Sequence, residues 1–167
     1  MKRVFLVSVL MCVLLVGSVV YAEPALEEDM VISEIGELVN KGKYNAALEK
    51  VNESILKYPE NAFLYYWRAT ALSSLGEKEA AVASFNKSIE INPDNVGSYI
   101  LRGICKYELS DYEGALADYN KAIELDPGNI SAYNMRAGLK LQIGDLDGAS
   151  KDFDYLDKVK IEPQKLQ

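Results

Sequence analysis

The sequence predicts an all-α protein built as a solenoid of stacked antiparallel helix pairs, and three observations predict it. First, Pro59, Pro93 and Pro127 recur every 34 residues, each in a matching turn, "KYPEN", "INPDN" and "LDPGN". Second, the same step aligns whole columns: Ala47, Ala81, Ala115 and Ala149, then Val51, Phe85, Tyr119 and Phe153, and Tyr65, Tyr99 and Tyr133. Third, the apolar residues inside each period step by three or four, as Tyr112, Ala115, Leu116, Tyr119, Ala122 and Ile123 do, which is helical spacing. One helix pair cannot bury its apolar face alone, so neighbours must stack.

The elements follow in chain order. Residues 1–22, "MKRVFLVSVLMCVLLVGSVVYA", have Lys2 and Arg3, an apolar run from Val4 to Val20 and a small residue at Ala22, the layout of a secretory signal peptide. An uncleaved anchor is the alternative, since a run of this length lies at the lower edge of what spans a bilayer. Residues 23–27 read as a short linker, and residues 164–167 as a C-terminal tail. Between them lie four units, 28–61, 62–95, 96–129 and 130–163. Each has a first helix, an inner turn marked by Gly42, Gly76, Ser110 and Gly144, and a second helix. Asn61, Asn95 and Asn129 stand where N-caps belong, just after the prolines that end the preceding helices.

Composition removes several function classes. The 167-residue chain has a net charge of −7, and losing Lys2 and Arg3 deepens it to −9. An acidic surface without a basic run argues against nucleic acid and anionic membrane as partners. The absence of histidine excludes Ser-His-Asp and Cys-His catalysis and any His-ligated metal. Past the signal only Cys105 remains, so no disulfide forms within the chain, and Cys105 reads as a small core residue. Asp145, Asp147, Asp152, Asp154 and Asp157 crowd the last unit, but "DLDGASKDFD" lacks the spacing of a calcium loop and reads as a solvated face. No catalytic, cofactor or metal residues are expected.

"YILRGICKY" with "ALADY" and "DP", and "YYWRATAL" with "AVASF" and "NP", resemble the tetratricopeptide repeat, which carries W-x2-L-G-x2-Y, A-x3-F and P at a 34-residue period. The resemblance covers about four-fifths of the chain. It departs at Val31 and Ile35 in the first unit, and at Leu156 and Ile161 in the last. It implies a right-handed superhelix whose concave face is lined by the first helix of each unit. The positions implied for that face are Phe63, Tyr66, Thr70 and Ser73, then Ile100, Ile104 and Tyr107, then Ser131, Asn134 and Leu141, with Asp29, Ile32, Gly36 and Val39 in the first unit. Apolar and aromatic residues there suit an extended peptide or an amphipathic helix of a partner protein. The Lys and Asn set with which some members clamp a C-terminal carboxylate is absent from these positions.

Arginine stands at the seventh position of three units, where the family usually has an aliphatic residue. Arg102 and Arg136 are followed sixteen residues later by Asp118 and Asp152, and Arg68 by Ser84; the first unit reverses the signs with Glu34 and Lys50. The expectation is that these columns face each other as structural ion pairs, a ligand site for charge being the alternative. With only four residues after the last unit, Leu156 and Val159 are expected to be partly uncovered and the C-terminal unit to self-associate. The function expected is an exported, non-enzymatic scaffold (periplasmic or secreted) that binds a partner segment. The alternative is a membrane-tethered assembly subunit of an envelope or secretion complex, held by an uncleaved N-terminal helix.

Overall fold

A computed structural model describes residues 26–161. Residues 1–22, expected to be a signal peptide, the first residues of the expected linker, the last two of the fourth unit and the tail 164–167 lie outside the described residues. Among the described residues there are eight helices and no strand: α1 over 26–40, α2 Tyr44–Lys57, α3 Ala62–Ser74, α4 Lys78–Ile91, α5 Val96–Glu108, α6 Tyr112–Leu125, α7 Ile130–Gln142 and α8 Leu146–Ile161. They form four hairpins, each packed on the next, which makes an all-α solenoid of helix pairs.

The local signals act where the sequence placed them. The side chain of Asn61 accepts from the backbone N–H groups of Phe63 and Leu64, Asn95 from Ser98, and Asn129 from Ala132, satisfying donors that a helix start leaves open. The inner turns all reach positive φ, at Gly42, Gly76 and Gly144 and also at Ser110, whose φ of 64° is costly for an L-residue. Two boundaries differ from the sequence reading. Leu26 and Glu27, read as linker, are already helical; Glu27 pairs with Lys57 of α2 in the same hairpin, and Glu28 accepts from Nδ2 of Asn61, the N-cap of α3, which ties the first turn to the start of the next hairpin. At the other end Ile161 replaces the turn proline, and α8 runs for 16 residues where α2, α4 and α6 run for 14.

The core is a chain of small clusters, not one centre. Ile35, Val51 and Leu64 form one, Ala69, Ala81, Phe85 and Cys105 another, and Ala115, Tyr119 and Leu139 a third, each joining residues of two successive units. Cys105 is buried, its Sγ 3.3 Å from Ser73 Oγ, and burial pushes its thiol pKa up. Buried Ser88 donates to the carbonyl of Ala62 and lies 3.0 Å from Ser98 Oγ, so polar pairing also crosses between hairpins.

The stack curves toward its first helices. α3 and α5, and α5 and α7, approach within 8 Å between Cα atoms, whereas α2, α4, α6 and α8 do not so approach one another. First helices therefore line the inner side, and the second helices diverge on the outer side.

Candidate functional site

The residues expected on the inner face divide into two kinds. Phe63, Tyr107, Asn134 and Leu141 are exposed. Tyr66, Thr70, Ile100 and Ile104 are half-buried and serve the core as well as the groove. The Tyr66 ring meets Trp67 edge-on at 5.1 Å and Phe85 at 6.1 Å, and it lies over Gly97, where the missing side chain leaves it room. Burial pushes its phenol pKa up. Ile104 packs against the cluster of Ala115, Tyr119 and Leu139, and Ile100 against that of Tyr99, Ala122 and Ala132. The Thr70 hydroxyl donates to its own helix at the Tyr66 carbonyl, and Tyr107 leans on Tyr112 at 5.6 Å.

Two first-unit positions expected in the groove belong instead to the core. Gly36 is buried under the Trp67 indole, where a Cβ would lie 2.9 Å from Cζ2, and Val39 packs with Ala47, Ala71 and Trp67. The large indole reaches back across the hairpin boundary and closes this end of the face.

The two charge columns meet between the helices of each unit. Arg102 donates to both oxygens of Asp118, from Nε at 2.9 Å and Nη2 at 2.5 Å; Arg136 grips Asp152 likewise at 2.9 and 2.6 Å. Glu34 and Lys50 pair in the first unit with the signs reversed. The sequence reading missed two further columns. Lys106 and Lys140 add a second cation to each aspartate at 2.9 Å, and Asn86 and Asn120 accept from Nη1 of Arg102 and Arg136 at 2.7 and 2.8 Å. A 34-residue shift would have exposed both columns. Burial opposes ionisation of Asp152, but the hydrogen bonds and charges of Arg136 and Lys140 outweigh it and hold its pKa below the usual carboxylate range. Each arginine also lies over a tyrosine ring of its own helix, Arg68 on Tyr65, Arg102 on Tyr99 and Arg136 on Tyr133.

The open C-terminal end differs from expectation at Leu156, which is buried, with Val159 half-buried. Leu156 shares a column with Ser54, Ser88 and Ala122, which are buried as well. The residue left open is Phe153, 41% exposed, although Val51, Phe85 and Tyr119 of its column are 0–2% exposed. Those three lie under the first helix of a following unit; Phe153 has none among the described residues.

Among the described residues no group of acidic or thiol side chains fits a metal, and no helix is long and apolar enough to cross a membrane. Stacked hairpins, an inner groove of aromatic and aliphatic side chains, and an ion-paired interior define a helical-repeat protein. More particularly, the chain is a tetratricopeptide-repeat protein: three family models described as Tetratricopeptide repeat match residues 64–95, 97–129 and 118–149. Solved structures agree with the fold. Crystalline MamA is 23% identical with a TM-score of 0.76, covering 82% of this chain and 81% of its own. The first such domain of Spaghetti (RPAP3), solved with the HSP90 peptide SRMEEVD, is 24% identical with a TM-score of 0.67, covering 70% and 93%. The corresponding domain of Arabidopsis OM64 is 26% identical, with a TM-score of 0.66 and coverage of 69% and 95%. No curated protein sequence matches the chain.

Proposed function

We propose that this protein is an exported, non-enzymatic scaffold whose inner groove binds an apolar segment, peptide or helix, of a partner protein. The observation that carries the reading is the run of Phe63, Tyr66, Ile100, Ile104, Tyr107 and Leu141 along the first helices, with no lysine or arginine at the groove positions. Aromatic anchors in such a setting provide most of the energy in peptide recognition. That the RPAP3 domain holds a peptide supports the general mode. Its acidic peptide is not the expected ligand here, because no groove position carries a lysine or arginine, and Lys78, which reaches Ser73 from α4, is paired with Glu108. Export rests on residues 1–22. An intact mass lacking them supports a free scaffold, and one retaining them supports the membrane-tethered alternative.

The test is selection of peptides from a random library on the residue 23–167 protein. Enriched sequences should carry spaced apolar anchors, and their binding should fall at least tenfold in Phe63→Asp/Tyr107→Asp. Those two exposed positions leave the core intact, whereas Tyr66 and Ile104 do not. Enrichment of acidic C-termini, or binding indifferent to both substitutions, overturns the reading. We further propose that the open end self-associates through Phe153, a second copy covering what a following unit covers elsewhere.

A further inference from the structure

We infer that the second unit carries a docking site for a carboxylate side chain of a partner protein, centred on Arg68 and opening on the outer side of the solenoid. The inference is independent of the groove and rests on comparing one column of the chain with itself. In units three and four the guanidinium of this column holds a buried aspartate bidentately, and a lysine one turn later fills the remaining space by reaching the same aspartate and the carbonyl of Gly114 or Gly148. In unit two, serine replaces the aspartate at position 84 and leucine replaces the lysine at position 72. Arg68 then makes one hydrogen bond, from Nε to Ser84 Oγ at 3.0 Å, and has no carboxylate partner among the described residues.

Where Lys106 and Lys140 reach in across units three and four, unit two has Leu72 and a pocket of about 350 Å³ between α2 and α4, with Arg68 and Ser84 in its wall beside Asn52. The rest of the lining, Leu48, Leu72, Ala80 and Ala83, is aliphatic. A planar guanidinium whose Nη groups have no hydrogen-bond partner among the described residues presents a fork that matches a carboxylate, and the two sister sites demonstrate that geometry in this fold. The apolar walls add a reason to expect methylene groups behind the charge, as in a glutamate side chain, in preference to a bare anion. Ser84 Oγ also donates to the Ala80 carbonyl at 3.0 Å, so the hydroxyl is held in place.

The experiment follows the arginine Nε–H and backbone amide signals of the residue 23–167 protein by NMR. The probe is N-acetyl-glutamate N′-methylamide, with the glutamine analogue, sodium acetate and inorganic phosphate as controls at constant ionic strength. Expected are saturable shifts at Arg68 and Ser84 with the glutamate compound, at least tenfold weaker binding of the glutamine analogue, and weaker binding of acetate. Ser84→Asp should abolish the shifts, because an internal carboxylate then takes the fork as Asp118 does. Arg68→Gln should abolish them too, and it leaves no buried charge behind, so it serves if Ser84→Asp fails to fold. Absence of saturable shifts, or their persistence in either variant, overturns the proposal. Acetate binding as tightly as the glutamate compound overturns the assignment to a side chain, and tighter phosphate binding overturns the carboxylate class.

Discussion

Removing Arg102 should cost far more than removing Arg68, although the two occupy the same position in adjacent units. Asp118 is 3% exposed and is held by Arg102 through two bonds and by Lys106 through one. Arg102→Met leaves this buried carboxylate with a single cation. Stranding a buried charge completely costs about 3–5 kcal/mol, so the loss with Lys106 in place is about 2–3 kcal/mol. Asp118→Asn strands two cations and should cost about 3–5 kcal/mol. Because both changes break the same contact, the double variant should be less destabilised than the sum, with a coupling of about 2 kcal/mol. The parallel cycle of Arg68→Met and Ser84→Ala removes only a neutral-acceptor hydrogen bond, and its coupling should stay below about 1 kcal/mol. Urea unfolding followed by helical circular dichroism and by Trp67, the chain's one tryptophan, measures both cycles. A coupling at Arg102–Asp118 within about 0.5 kcal/mol of zero, the additivity seen for independent sites, would refute the reasoning.

Asp152, whose pKa is depressed in the fold, contributes stability above the unfolded carboxylate range that is lost as pH falls through its folded value. Asp152→Asn should therefore flatten the acid limb of the stability profile, and an unchanged limb counts against the pairing. Ser110→Gly relieves a left-handed residue at a turn where the other three units have glycine. It should stabilise by about 0.5–1 kcal/mol in thermal unfolding after the entropy cost of glycine, and a loss of stability would contradict that account. Sedimentation equilibrium should show dimers of the residue 23–167 protein that Phe153→Glu dissociates; a monomer at high concentration removes self-association.

Periodicity made much of this molecule legible without coordinates. A 34-residue step that repeats prolines, alanines and asparagine caps leaves one economical reading, because every column must meet the same neighbours in each copy. The Arg–Asp pairs were readable for the same reason: two columns that change sign together in the first unit betray a contact between them. The column of Lys106 and Lys140 was equally available, yet it sits on a helix face that reads as solvated until the second cation is seen bending onto Asp118 and Asp152.

The hairpin, its turns and the residues that share a position could be read along the chain, since those depend on local spacing and on backbone groups a few residues apart. What each shared position experiences depends on how the hairpins stack. Val51, Phe85, Tyr119 and Phe153 are one column in the chain, but three are covered by a following unit and the fourth has no such unit among the described residues. Gly36 and Val39 leave the groove because one indole from the next hairpin reaches them. Arg68 differs from Arg102 because positions 72 and 84, on different helices, carry leucine and serine in place of lysine and aspartate, and both residues line the space beside it. Burial and cavities are properties of several segments at once, and no single stretch of chain encodes them.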